Sequence, residues 1–145
     1  ITAPAFIKPK LKHMISDCSL VAKKNNSDFI WNSRFPVNSL NIMRGYLFIN
    51  KDVKNLYLDK MFDAYWKNNL DISNEEVLQN LLKECKIEIA TFMNGIGNQK
   101  IKDQLKNITL EAHNKEIFGA PTFVVNSKIF WGQDRLEFAL DEYSR

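Results

Sequence analysis

Residues 118–140 read FGAPTFVVNSKIFWGQDRLEFAL, and this stretch carries the strongest fold signals in the sequence. The β-branched and aromatic run Thr122–Val125 predicts a buried strand, and Lys128–Trp131 predicts a second strand. Asn126 and Ser127, which separate the two runs, are typical of a tight turn. The stretch therefore predicts a β-hairpin around which the rest of the chain is arranged.

Residues that end or redirect a strand flank the hairpin on both sides. Ahead of it, the bond between Ala120 and Pro121 is one at which a cis peptide costs only about 0.5–1 kcal/mol. Behind it, Gly132 interrupts the second strand. Asp134, with Glu137 three residues later, reads as a capping box and predicts a C-terminal amphipathic helix.

Composition and charge fit one globular domain and argue against several partners. The chain has 145 residues, of which 45% are hydrophobic and 26% are charged. Its net charge of +3 comes from basic residues scattered among acidic ones, which argues against a nucleic-acid partner. No apolar run approaches the roughly 18 residues that a membrane span needs, so no membrane partner is expected.

The two cysteines and two histidines do not form a reactive cluster in the sequence. Cys18 and Cys85 lie far apart and outside any C-x-x-C motif, so dithiol chemistry of the thioredoxin kind has no residues to carry it. Both are predicted to be packing residues on helices, and the lack of a disulfide framework favours a cytoplasmic setting. His13 and His113 are isolated from other ligand-type residues, so no metal site is predicted.

Most of the chain ahead of the hairpin is predicted to be helical. Apolar residues recur at steps of three and four over residues 10–24, as in an amphipathic helix. Further helices are predicted from residue 38 or 39 to 49, from 52 to about 67, after a capping box at 73–76, over 87–93 before Gly95 and Gly97, and from 98 or 99 onward. The aromatic loop at residues 25–36 is predicted to be pinned to the core, and the alternative is that its aromatic side chains line a groove.

Three blocks of sequence resemble one family of enzymes. They are FGAPTFVV…KIFWGQDRLEF in residues 118–138, RFPVNSLNIMR in residues 34–44 and MFDAYWKNNLDISNEEVL in residues 61–78. In this order the chain resembles the 2-hydroxychromene-2-carboxylate isomerases, which group with the kappa-class glutathione transferases and the DsbA-like branch of the thioredoxin fold. The resemblance extends from about residue 8 to residue 143.

The resemblance implies an α/β, thioredoxin-like fold with a large inserted helical domain. A helical run of about a hundred residues before one strand pair fits the same arrangement. Residues 1–116 would form the mostly helical inserted domain, and residues 117–145 the hairpin plus helix of the thioredoxin-like domain. The strand–helix–strand unit that opens such a fold is expected before Ile1, because Ile1 is not an initiator methionine and an isolated hairpin is marginally stable.

The resemblance also implies a glutathione site at the hairpin. The backbone of Ala120, with its direction fixed by Pro121, would hydrogen-bond the cysteinyl part of glutathione as a short added strand. Gln133 and Asp134 would meet the γ-glutamyl end, where a carboxylate can pair with the ammonium group. The alternatives are that Ala120–Pro121 is a plain turn into a strand, and that Asp134 is a helix cap and nothing more.

Three further residues are weaker candidates for a substrate pocket. Trp131 could wall the pocket or be a core aromatic. Asn38 and Lys10 align with polar positions that flank the cleft in the resembling family, although Asn38 could instead be a helix cap. His13 stands where family members often carry a tyrosine, which departs from the family pattern.

The function implied by the resemblance is glutathione-dependent cis–trans isomerisation of a small aromatic acid by reversible thiolate addition. The serine that activates glutathione in this family is expected upstream of Ile1, so no catalytic residue is assigned within this chain. The alternatives are a kappa-type transferase or DsbA-like oxidoreductase acting on other electrophiles, and a non-catalytic binding protein that lacks the nucleophile. The family also leads us to expect a homodimer.

Overall fold

The structure is a computed structural model that describes residues 6–145 of the chain. Its elements are α1 (Lys8–Lys24), α2 (Leu40–Phe48), a 3-10 turn (Lys51–Val53), α3 (Lys54–Trp66), α4 (Glu75–Glu84), α5 (Ile89–Gly97), α6 (Gln99–Asn114), β1 (Thr122–Val125), β2 (Lys128–Trp131), a second 3-10 turn (Gln133–Arg135) and α7 (Leu136–Tyr143). The chain forms two compact units, Ile1–Lys102 and Asp103–Arg145. Within the described part, no helix combines the length and the apolar character needed to cross a membrane.

The core of the first unit forms where helices α2 and α5 approach closely. Glycines make this approach possible, because a Cβ atom at Gly45 would collide with the Phe92 ring and one at Gly95 would collide with the Phe48 ring. Phe92 is completely buried as a result. The buried hydrophobic residues around it are Ile42, Ile49, Tyr57, Met61, Ala64, Tyr65, Ile72, Leu78, Leu81, Leu82, Cys85 and Ile96.

Two helix ends differ from the sequence predictions. The cap of α4 is Asn74, whose side chain accepts a hydrogen bond from the Val77 N–H at 3.2 Å. Ser73, predicted to open the capping box, instead donates its hydroxyl to Asp71 at 2.6 Å. Helix α5 continues to Gly97 instead of ending before Gly95, because the missing side chain at Gly95 makes room for a packed ring.

The aromatic loop before α2 is pinned to the core, as predicted. The Trp66 ring lies 5.6 Å from Phe29, 5.8 Å from Trp31 and 6.0 Å from Phe35, measured between ring centroids. Asn32, in the same loop, is 1% exposed and donates to the backbone carbonyls of Tyr65 at 2.8 Å and Leu70 at 3.0 Å. The loop therefore has both an aromatic and a polar attachment to the end of α3.

The second unit contains the predicted hairpin with the predicted strand bounds. Strands β1 and β2 are antiparallel, with Thr122 opposite Trp131 and Val125 opposite Lys128. Asn126 and Ser127 have φ values of 49° and 62°, which suit a two-residue hairpin turn. The sheet of the described residues consists of these two strands.

The Glu142 side chain of helix α7 bonds to the hairpin. The carboxylate accepts from Lys128 Nζ at 2.7 Å and from Asn126 Nδ2 at 3.3 Å. The hydrogen bond from Lys128, followed by that from Asn126, lowers the pKa of Glu142 below its ordinary value. Because its pKa is lower in the folded state, ionised Glu142 stabilises the fold above the unfolded pKa, and this contribution is lost as the pH falls through the folded pKa.

We expect Glu142→Gln to lower the melting temperature at pH 7 and to have a smaller effect at pH 3, where the wild-type carboxylate is itself becoming protonated. Thermal unfolding followed by circular dichroism at both pH values measures this. Glu137→Gln is the matched control, since Glu137 is an exposed carboxylate in the first turn of the same helix. An equal loss of melting temperature at both pH values would contradict the assignment.

Candidate functional site

The corner before β1 presents unused backbone groups. The Ala120–Pro121 peptide bond is cis. The neighbouring carbonyls are occupied, since Gly119 accepts from the Thr122 hydroxyl at 2.5 Å and Pro121 accepts from the Gly132 N–H at 3.0 Å. The backbone of exposed Ala120 makes no hydrogen bond to any other residue in the 6–145 range. Ala120 therefore keeps a donor and an acceptor for another molecule.

The free polar edge continues from this corner along β1. Antiparallel partners alternate between hydrogen-bonded and non-hydrogen-bonded pairs. The Gly132 N–H donates to the Pro121 carbonyl, so the next pair, Thr122 and Trp131, is a non-hydrogen-bonded pair. The backbone groups of Thr122, and likewise those of Val124, point away from β2. Within the described sheet no further strand pairs with this edge.

One face of the hairpin beside this edge is apolar and open. Thr122 and Val124 share this face with Ile129 and Trp131, because side chains alternate between faces along a strand. Val124 is 46% exposed and Trp131 is 53% exposed. The Phe118 ring lies 5.2 Å from the Trp131 ring, so two aromatic side chains stand together next to the corner.

Gly119 is required for this aromatic arrangement. A Cβ atom there would lie 2.5 Å from Nε1 of Trp131, so the indole occupies the space that a side chain would need. The sequence prediction included Trp131 but missed Gly119 and Phe118. The two-residue turn was the sequence signal that could have pointed to Phe118 and Gly119. It sets the pairing of the two strands so that Trp131 lies opposite Thr122, next to the loop that precedes β1.

Gln133 and Asp134 lie in the 3-10 turn that follows β2, and the predicted capping role of Asp134 is wrong. The 3-10 turn delays the start of α7 to Leu136, and Arg135, at the N-cap position, makes no side-chain cap. Asp134 therefore faces Arg135 instead, with 2.9 Å between its carboxylate and the guanidinium. The Asp134 side chain is 67% exposed, so it remains accessible to a ligand.

Asn38 and Lys10 belong to the first unit, whereas the other predicted site residues belong to the second. Asn38 accepts from the Leu40 N–H at 3.0 Å, although the N-cap position of α2 is the next residue, Ser39, which makes no side-chain cap. It also lines a cavity of about 200 Å³ together with Ile72 and Met93. Lys10 is an exposed residue in the first turn of α1.

The cysteines are poorly suited to be nucleophiles. Burial raises the pKa of the Cys18 thiol and of the Cys85 thiol above their ordinary values. A higher pKa leaves less thiolate at neutral pH, and the thiolate is the reactive form. Among residues 6–145 there is also no group of three or more side chains that could hold a metal ion. The chemistry available at the corner is thus that of backbone pairing, aromatic contact and an exposed carboxylate that is paired with Arg135.

Comparisons with known proteins identify the family and the fold of the chain. The family model "DSBA-like thioredoxin domain" matches residues 2–144. A 2-hydroxychromene-2-carboxylate isomerase from Sphingobium xenophagum is 22% identical over 137 residues, which cover 94% of this chain and 69% of that protein. A solved structure of a 2-hydroxychromene-2-carboxylate isomerase superposes with a TM-score of 0.88 at 18% identity, over 100% of this chain and 71% of that one. The predicted thioredoxin-like fold of the DsbA type is therefore confirmed.

Proposed function

The chain belongs to the DsbA-like thioredoxin domain family, and from this premise we propose that it carries the glutathione-binding half of a glutathione-dependent isomerase. The S. xenophagum relative is an isomerase by name, which supports an isomerase assignment at the level of the family. Its substrate class, in this proposal, is a small aromatic acid. The proposal also includes a cytoplasmic location and a homodimeric assembly, as expected from the sequence.

The unused backbone of Ala120 is the observation that carries the proposal. Glutathione is a short extended peptide, and its cysteinyl amide and carbonyl can pair with the free donor and acceptor of Ala120. Asp134 supplies an exposed carboxylate for the γ-glutamyl ammonium, and Gln133 adds neutral donors and an acceptor beside it. Together these groups would hold the cysteinyl and γ-glutamyl residues of glutathione and fix the direction of its thiol.

Glutathione, when bound, supplies a thiolate whose reversible addition to a conjugated double bond allows rotation about that bond. The residues of this chain contribute by positioning, which lowers the entropic cost of bringing two reactants together. Trp131 and Phe118 offer an apolar aromatic surface beside the corner, suited to the ring of an aromatic substrate. The raised pKa of Cys18 and Cys85 supports a role for an external thiol in place of a cysteine of this chain.

Calorimetric titration with reduced glutathione tests the proposal. We expect saturable one-site binding by the wild-type chain and an affinity about tenfold lower for Asp134→Ala, which corresponds to roughly 1.4 kcal/mol from one charge-assisted contact. Glu137→Ala removes an exposed carboxylate nearby in the sequence and serves as the control, with unchanged affinity expected. Absence of wild-type binding, or equal losses in both variants, would contradict the proposal.

A kappa-type transferase would share the same half-site, because the free corner and the exposed carboxylate recognise the cofactor and not the second substrate. Steady-state assays with an isomerisable aromatic acid and with a halogenated aromatic electrophile distinguish the two activities. A binding protein without catalysis would bind glutathione and turn over neither substrate.

A further inference from the structure

A second cavity lies wholly within the first unit and takes no part in the proposed glutathione site. Its volume is about 380 Å³, and it is bounded by the C-terminal end of α2, the 3-10 turn that follows, the connection between α4 and α5, and the start of α5. Its apolar walls are formed by Phe48, Ile49, Val53, Ile87 and Phe92. This size and this lining are typical of sites for small organic ligands, which measure about 300–1,000 Å³.

The aromatic walls of the cavity are held in place by the packing of α2 against α5. The Phe48 ring fills the space over Gly95, and the Phe92 ring fills the space over Gly45. Neither ring can shift far without opening the contact between the two helices. These two aromatic walls are therefore fixed by the packing of the helices.

Two charged residues, Glu88 and Lys86, line the cavity, and they differ in whether the charged group already makes hydrogen bonds. Glu88 uses its carboxylate to cap α5, accepting from the N–H groups of Ala90 at 2.9 Å and Thr91 at 2.5 Å. Lys86 is exposed, lines the cavity, and makes no side-chain hydrogen bond or ion pair with any residue that the structure describes. The remaining polar lining residues, Asn50 and Thr91, are neutral.

The backbone at Lys86 is fixed from both sides. The Lys86 N–H donates to the Lys83 carbonyl at 3.0 Å, and the Ile87 N–H donates to the Leu82 carbonyl at 2.9 Å, which together end α4. Glu88 then starts the next helix. Only the Lys86 side chain is free to move, so its ammonium can swing to a ligand while its Cα stays at the rim of the cavity.

We propose that this cavity binds a small apolar monocarboxylate. The hydrocarbon part of the ligand lies against Phe48, Val53 and Ile87, and its carboxylate pairs with the Lys86 ammonium at the rim. The site prefers an anionic ligand to a cationic one. The Lys86 ammonium has no partner among the described residues, whereas the Glu88 carboxylate already accepts hydrogen bonds from the first N–H groups of α5. The site is independent of the glutathione proposal, since none of its residues contributes to that half-site.

Calorimetric titration with hexanoate, heptanoate and octanoate tests the apolar part of the proposal. We expect affinity to rise about fourfold for each added methylene, the increment for moving one such group out of water. Backbone amide NMR shifts from octanoate should be confined to residues 48–53 and 86–92. A flat series, shifts centred elsewhere, or no binding at all would overturn the proposal.

Charge variants test the proposed pairing of the ligand carboxylate with the Lys86 ammonium. Lys86→Gln should weaken octanoate binding about tenfold and leave the binding of neutral octanol unchanged. Lys83→Gln is the control, because Lys83 is an exposed lysine in the last turn of α4 that does not line the cavity. Equal octanoate affinity for wild type and Lys86→Gln, or octylamine binding as tightly as octanoate, would overturn the proposal. Melting curves of both variants check that each one is folded.

Discussion

The Gly45→Ala variant is expected to lose about 2–3 kcal/mol of unfolding free energy, although alanine is the better helix former. The added methyl group would collide with the Phe92 ring and would lie 2.6 Å from the Tyr57 hydroxyl. That hydroxyl donates to the Ile42 carbonyl at 3.0 Å, and both aromatic residues are completely buried. The helices would have to separate, with loss of packing and of the buried hydrogen bond.

Gly97→Ala provides the matched control for this prediction. A Cβ atom at Gly97 would have no other atom within 4 Å, and the residue lies in the last turn of α5. There the same substitution should be neutral or stabilising by up to about 1 kcal/mol, because glycine loses more backbone entropy on folding. Urea unfolding of the two variants measures the contrast. Similar stabilities for both would show that the Gly45 contact can relax at little cost.

The hairpin could be predicted from the sequence residue by residue, because its determinants are local. The β-branched run and the Asn126-Ser127 turn act over a few neighbouring residues, and the structure has the same strand bounds. The predicted end of α5 was wrong because its determinants are not local. Gly95 looked like a stop signal in the sequence, but its role depends on the Phe48 ring, which comes from another helix.

The candidate site was predictable in its backbone and less so in its side chains. The cis bond at Ala120–Pro121 follows a local proline signal. Asp134 was assigned to a helix cap because the spacing to Glu137 fits a capping box, yet the 3-10 turn moves the N-cap position of α7 one residue further, to Arg135. One-residue changes in where a helix begins are decided by tertiary packing, and sequence spacing alone does not resolve them.

Asn32 has a structural role that sequence patterns could not predict. Its partners, the carbonyls of Tyr65 and Leu70, are 33 and 38 residues away. Its own side-chain oxygen accepts from the Arg34 N–H at 2.8 Å. With 1% exposure, the amide is cut off from water, so its hydrogen bonds have no solvent substitute. This one side chain therefore ties the aromatic loop to the chain that leaves α3.

We expect Asn32→Ala to lower the unfolding free energy by about 3 kcal/mol, because two buried carbonyls lose their donor and a cavity replaces the amide. Urea unfolding measures the loss, and near-ultraviolet circular dichroism should report weaker order around Trp31 and Trp66, whose rings meet beside this residue. Asn94→Ala is the control, since Asn94 is exposed on α5, and its effect should stay within about 0.5 kcal/mol. A loss below about 1 kcal/mol at Asn32, with the aromatic signal intact, would mean that the ring contacts hold the loop without the amide.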